Sequence, residues 1–161
     1  MISLIRLIIL AISLNSYCSA ADKSHPIRVN SKSAFLNKKN GYSIFTGNAI
    51  ATQGSLVLKG YKIEVFNKNN DVIKVIGYGG KNNQAHYEQD RSRFERFIEA
   101  KADKISYFVN EELVRLEGNA FILQGYDKFT GGTLDYDIKN DRVIAKKSED
   151  GKERVKFKIR L

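Results

Sequence analysis

Apolar and polar residues alternate with a period of two along most of the chain. Ile27-Arg-Val29, Ile63-Glu-Val65-Phe, Ile105-Ser-Tyr107-Phe-Val109 and Leu134-Asp-Tyr136-Asp-Ile138 each turn one apolar side and one polar side outward from the backbone, the mark of a half-buried strand. The last segment is the cleanest, with Val155, Phe157, Ile159 and Leu161 facing one way and Arg154, Lys156, Lys158 and Arg160 the other. Turn formers separate the runs at Lys38-Lys-Asn-Gly41, Asn67-Lys-Asn-Asn-Asp71 and Lys139-Asn-Asp141, and Pro26 is the only proline. Helical spacing is hinted at only by Phe94, Phe97 and Ile98. The pattern predicts an all-β domain with a readable inward set. In the first half it comprises Ile27, Val29, Leu56, Leu58, Ile63, Val65, Ile73 and Val75, and in the second Ile105, Tyr107, Val109, Leu116, Leu134 and Tyr136. An inward aliphatic of a β-sandwich is core by default, so these residues define an apolar interior before they define a site.

Sliding the chain against itself by 71 positions pairs residues 27–76 with residues 98–147 without a gap, and eleven of the fifty pairs are identical. Gly47-Asn48-Ala49 with Gln53-Gly54 falls on Gly118-Asn119-Ala120 with Gln124-Gly125, Gly60 falls on Gly131, and Lys68-Asn69 with Val72-Ile73 falls on Lys139-Asn140 with Val143-Ile144. Identities gathered at glycines and turns point to a duplicated unit. A glycine inside a strand marks a bend or a close backbone approach, so the paired glycines are expected to be corners where each strand turns over into a second sheet. Two such units in series predict a twisted antiparallel jelly roll of short strands.

The N-terminus has the order of a secretory signal: Arg6 before the apolar run Leu7–Leu14, then the small residues Ser19-Ala20-Ala21, with cleavage expected after Ala20 or Ala21. The run is shorter than the roughly 20 residues of a spanning helix. Tyr17 before Cys18 argues against acylation there. Domain limits follow, namely 1–21 as a cleaved signal and 22–161 as one domain. Cys18 is the only cysteine, so the mature chain is held by packing and backbone ladders. About 140 residues suffice for a core without staples. The formal charge is +9, or +8 once Arg6 is removed, and a basic surface favours anionic partners. Export makes nucleic acid the least suitable of them.

Catalytic chemistry finds few residues to carry it. His25 and His86 are the only histidines and stand in no metal-ligand spacing, so neither a metal nor a cofactor is expected. No strand-turn-helix elbow surrounds a serine. The rival from another class is a glycan-cleaving jelly roll using Asp103 with Glu117, or Asp135 with Asp137. Glu64 and Asp135 match across the repeat, but both fall on the outward side of the alternation, as on a solvated face.

The segments Phe45-Thr-Gly-Asn-Ala-Ile-Ala-Thr-Gln-Gly54, Gly77-Tyr-Gly79 and Leu116-Glu-Gly-Asn-Ala-Phe-Ile-Leu-Gln124 resemble the OstA-like family, over a span from His25-Pro-Ile27 to about Lys152. The chain departs from the family in Asn82–Phe97, which is longer and richer in arginine, and in ending on Leu161 without a polar tail. The resemblance implies a V-shaped β-jelly roll in the periplasm whose interior holds the acyl chains of lipopolysaccharide. It also implies copies stacked head to tail between an LptC-like inner-membrane component and an LptD-like outer-membrane component. The LptC-like relative keeps an N-terminal anchor, so cleavage of the signal separates the two readings. By its place in the family motif Tyr87 joins the inward set, and Ile27, Val29, Tyr87, Tyr107 and Val109 match positions that meet lipid. The demand on such an interior is large: at about 0.8 kcal/mol per buried methylene, one chain of roughly a dozen carbons needs on the order of 10 kcal/mol of shelter.

Both ends of the chain carry an alternating strand that no later strand is obliged to cover. Open edges invite pairing, so Val155, Phe157 and Ile159 are expected to form an interface with the strand near Ile27 of a neighbouring copy by strand addition. Arg91, Arg93 and Arg96 make the densest basic patch and are read as a solvated loop, though phosphates of an anionic lipid would suit them.

Overall fold

A computed structural model describes residues 24–91, 96–146 and 154–159. The expected signal at residues 1–21, with Arg93, Phe94, Arg160 and Leu161, lies outside them. Twelve strands follow in order: β1 (Arg28–Asn30), β2 (Ser33–Asn37), β3 (Tyr42–Gln53), β4 (Leu56–Lys68), β5 (Asp71–Tyr78), β6 (Ala85–Arg91), β7 (Arg96–Ala102), β8 (Lys104–Phe108), β9 (Leu113–Gln124), β10 (Asp127–Asp137), β11 (Arg142–Lys146) and β12 (Lys156–Lys158). A 3-10 turn, Lys38–Asn40, joins β2 to β3, capped by the Asn37 side chain and closed by Gly41 in the left-handed region.

Four strands, β3, β4, β9 and β10, run for 11 to 13 residues, and each changes partner half-way. β4 pairs with β6 through Leu56–Lys59 and with β5 through Lys62–Lys68. β9 pairs with β8 through Leu113–Glu117 and with β7 through Phe121–Gln124. β3 divides likewise between β2 and β1, and β10 between β11 and β12. The result is two antiparallel leaves that share the four long strands. One leaf is edged by β1 and β12, the other by β2 and β11. Strands β4, β5, β8, β9, β7 and β6 close into a ring, which gives the all-β jelly roll the alternation led one to expect.

The bends sit where the paired glycines stand. Gly47 and Asn48 take φ of 87° and 49°, and Gly118 and Asn119 take 77° and 48°, a region that glycine and asparagine enter with least strain. The register of β3 on β4 shifts at the first bend, and that of β10 on β9 shifts opposite the second, between Gly131 and Thr133. The Lys32 amide donates to the Gly47 carbonyl at 3.1 Å, and the Asp103 amide, 71 positions on, donates to the Gly118 carbonyl at 2.9 Å. A Cβ on Gly118 would run into the Asp103 carboxylate.

Strands β7 to β10 reproduce the pairing of β1 to β4 at a shift of 71. Leu58 faces Ala51 as Phe129 faces Ile122, and Ile63 faces Phe45 as Leu134 faces Leu116. The shift does not persist beyond β10. Val65 faces Val75, whereas Tyr136, 71 positions on from Val65, faces Val143, only 68 on from Val75. A bulge lengthens the β4–β5 hairpin at Asn67 and has no counterpart in the second unit. The gap-free alignment therefore matches Ile73 with Ile144, while in space Ile76 takes that place. The same bulge breaks the alternation in β5, so that Val72, not Ile73, packs against the core. The helical hint at Phe97 and Ile98 is not followed either, since both lie in β7, with Phe97 exposed and Ile98 fully buried.

Candidate functional site

The inward set converges between the leaves. Leu56, Leu58, Ile63, Val65, Val75, Tyr87, Ile105, Tyr107, Val109, Leu116, Leu134 and Tyr136 are all buried in one cluster, with Ile27 and Val29 packed half-buried against it. Ile73 is the exception already accounted for. On one leaf the inward row runs unbroken through Val29, Ala51, Leu58, Tyr87, Ala100, Ile122, Phe129 and Phe157, from the first strand to the last. Its middle is closed. The gap lined by Ile27, Leu56, Leu58, Val75 and Tyr107 measures only about 10 Å³, so the apolar interior expected from the alternation is filled here by the protein's own side chains.

Polar groups seal the margin opposite the glycine bends. Tyr107 Oη donates across the leaves to Gln53 Oε1 at 3.1 Å, and Gln53 Nε2 donates to the His25 carbonyl at 3.0 Å. Gln124 Nε2 donates to Asp141 Oδ1 at 2.7 Å, which also accepts from Tyr136 Oη at 3.0 Å. Arg91, on β6, reaches the Ile138 carbonyl and the Tyr136 hydroxyl of the other leaf. Burial, with Asp141 beside it, raises the Tyr136 phenol far above its ordinary value, so it stays a neutral donor. Arg91 is thus a half-buried strap and not part of a solvated loop. Parity reasoning missed Gln53, Gln89 and Gln124 as well: they are buried polar residues on the inward face, and the identity of Gln53 with Gln124 across the repeat was the available signal.

At its two ends the interior is open. Phe157 is 68% exposed although it lies in the same row as Tyr87, which is 0% exposed. Leu36, 71 positions before Tyr107, is 57% exposed where Tyr107 is 3%. Val155 and Ile159 are also exposed, as are Phe35 and Ile144 on the outer side of the second leaf. A groove of about 660 Å³ borders Val29, Ala34 and Phe45 at the N-terminal edge. Another, of about 490 Å³, borders Ala120, Gly131, Arg154 and Lys156 at the C-terminal edge.

The carboxylates considered for catalysis lie on the outer face or at the bends. Asp103 accepts from Asn119 at 2.9 Å, and Glu117 pairs with Lys104 at 2.8 Å. Asp135 takes a forked pair of bonds from Arg115 at 2.7 and 3.1 Å, and Asp137 is bonded by Asn140 and Arg142. Glu64 and Asp135 do face outward, but they are buried under their partners and not solvated. Burial alone would raise Glu64; bonds from Lys62 at 2.8 Å and Tyr78 at 2.9 Å outweigh it and hold the carboxyl below its ordinary 4.5. Tyr78 is pushed up to about 12 by burial and by that same bond. Among the described residues, no group of His, Cys, Asp and Glu could hold a metal ion, and no helix is long and apolar enough to cross a membrane.

Residues 28–142 match the sequence profile of a family described as the LptA/LptD N-terminal domain, LPS transport protein. The chain belongs to this family. Its relatives include the lipopolysaccharide export system protein LptH of Pseudomonas aeruginosa, 33% identical over 125 residues that cover 78% of this chain and 70% of the relative. Another is LptA of Escherichia coli K12, 28% identical over 139 residues covering 85% and 73%. The crystal structure of Pseudomonas LptH, the periplasmic LptA homologue of a lipopolysaccharide transport device, superposes with a TM-score of 0.79 at 28% identity, over 87% of this chain and 99% of that one. The family match takes in β1 to the first residue of β11. In this member of the LptA/LptD N-terminal domain family it therefore contains both pairs of bent strands and the whole closed ring.

Proposed function

We propose that this chain is a periplasmic lipopolysaccharide carrier that bridges the inner and outer membranes, with residues 1–21 as the export signal removed on the way. The observation that carries the reading is the inward row from Val29 to Phe157, apolar from one edge strand to the other, half-buried at Val29 and exposed at Phe157. Several acyl chains need tens of kcal/mol of shelter by the methylene scale, which only a trough between leaves supplies. With the interior closed, loading requires the leaves to part at the polar margin and swing about the glycine bends. The margin suits this, because its links are a handful of hydrogen bonds, about 1 kcal/mol net for a neutral one and about 1.5–3 kcal/mol where Arg91 or Asp141 takes part. The lipid phosphates then stay outside, near a basic surface.

Continuation from copy to copy follows from the repeat. Inside the chain, the first unit's β5 and β6 meet the second unit's β8 and β7. The open strands β11 and β12 stand where β5 and β6 stand, and β2 and β1 stand where β8 and β7 stand. Tyr87 faces Ala100 and Val75 faces Tyr107, so a second copy in the same register sets its Val29 against Phe157, its Leu36 against Val143 and its Phe35 against Ile144. Exposed Phe35, Leu36, Ile144 and Phe157 are thereby covered. LptC-like and LptD-like components of the transport system, which share the domain, fit the two edges in the same way.

Photo-crosslinkers at Tyr107 and Val109 should capture lipopolysaccharide in cells, and one at exposed Tyr126 should not. Adducts missing from both interior sites, or equally strong at Tyr126, would reject the carrier. Mass spectrometry of the mature N-terminus tests the second reading, an LptC-like anchored component: a chain beginning after Ala20 or Ala21 excludes it.

A further inference from the structure

The outward residues at the two kinds of joint carry different charge. Inside the chain, β6 and β7 set Glu88 opposite Glu99 and His86 opposite Lys101. Bases close these carboxylates: Lys59 lies 3.0 Å from Glu88, Lys101 lies 2.7 Å from Glu99, and the two His86 ring nitrogens lie 3.2 Å from one carboxylate each. On β12 the positions of His86 and Glu88 are held by Lys156 and Lys158. The register fixes this, since Leu58 faces Tyr87 and Phe129 faces Phe157, 70 positions on. Both lysines are exposed, and Lys128 of β10 stands directly opposite Lys158. Among the described residues, the β1 strand of a second copy brings no acid to meet them. Where β7 has Glu99 and Lys101, β1 has Arg28 and Asn30, both exposed. Copy on copy therefore sets Arg28 against Lys158 beside Lys128, and like charges directly opposite across a strand pair are destabilising.

We propose that the β12 edge is built for an edge strand of a different chain, one carrying carboxylates opposite Lys158 and Lys156, and that a second copy of this chain is the poorer occupant. The proposal rests on the strand-addition reading above, in which the apolar inward row is common to both joints while the outward charges choose between partners. Charge at this rim acts within a Debye length and is screened by salt.

Self-association of the full mature chain, measured by sedimentation at low and at high salt, tests it. The native chain should associate more tightly as salt rises. Arg28→Glu and Lys158→Glu should each tighten association at low salt by roughly three- to ten-fold, the range for converting one cross-strand repulsion into an attraction. Combining them restores like charges and should cancel the gain. Phe157→Pro, which removes a ladder donor from β12, should abolish association in the Arg28→Glu background. If neither charge reversal tightens association while Phe157→Pro still abolishes it, strand addition stands and the charge selectivity is wrong. If Phe157→Pro changes nothing, strand addition is itself wrong, and the proposal goes with it.

Discussion

Tyr107→Phe removes one hydroxyl from the margin that closes the two leaves. Both Tyr107 and Gln53 are buried, and the bond between them joins β8 of one leaf to β3 of the other at 3.1 Å. The aromatic ring and its packing are kept, so the loss is that of one neutral buried hydrogen bond, about 1 kcal/mol. Since 1.4 kcal/mol is a factor of ten, the open arrangement gains roughly five-fold in population if the bond is absent from it. Two measurements follow. Urea unfolding should show stability lowered by about 1 kcal/mol with an unchanged slope, because the surface exposed on unfolding is the same. Stopped-flow uptake of lipid A carrying a fluorescent acyl chain should be faster by up to roughly five-fold, because opening precedes entry. A variant that loses the expected stability but loads at the native rate would show that lipid enters by another path, at the open ends, and that the polar margin is only part of the fold. A variant with native stability would show that the bond carries no net free energy.

Gly118→Ala forces an L residue to φ of 77° and pushes the Asp103 carboxylate away from Asn119; thermal unfolding should report a loss of about 1–3 kcal/mol. Ile105→Ala hollows the closed middle of the interior and should cost about 2–5 kcal/mol in chemical denaturation. Glu64 titrates lower in the folded chain than at its ordinary 4.5. A depressed folded value means stabilisation that is full above 4.5 and lost as pH falls through the folded value. Stability measured from neutral pH down to pH of about 3 should therefore fall less steeply in Glu64→Gln than in the native chain, and an identical acid limb would remove Glu64 from the account.

Much of this site was legible because the side-chain period of a strand is two and each leaf buries one face. Leu58, Tyr107 and Leu134 could be assigned inward from their neighbours alone, and the glycine pair 47/118 marked the corners because few other residues take such a backbone. Ile73 was not legible. A one-residue bulge reverses parity beyond it, and nothing in Asp71-Val-Ile-Lys74 announces the bulge. Arg91 read as a solvated base because its acceptor, the Ile138 carbonyl, lies 47 positions away. The outward acids Glu64 and Asp135 read as solvated for a similar reason, since Tyr42 and Tyr78 beside Glu64 and Arg115 beside Asp135 come from other strands.

By itself the sequence determined the all-β class, the duplication, the corners and most of the inward face, since each of these follows from local period, backbone permissiveness or self-similarity. Only the tertiary structure decided that the interior is closed in the middle and open at both ends. It also decided that buried polar links cross between leaves, and that β12 repeats the apolar face of β6 while setting Lys158 where β6 has Glu88. Those features depend on which strands become neighbours, and neighbourhood across tens of residues is set by the packing of whole leaves rather than by any run of the chain.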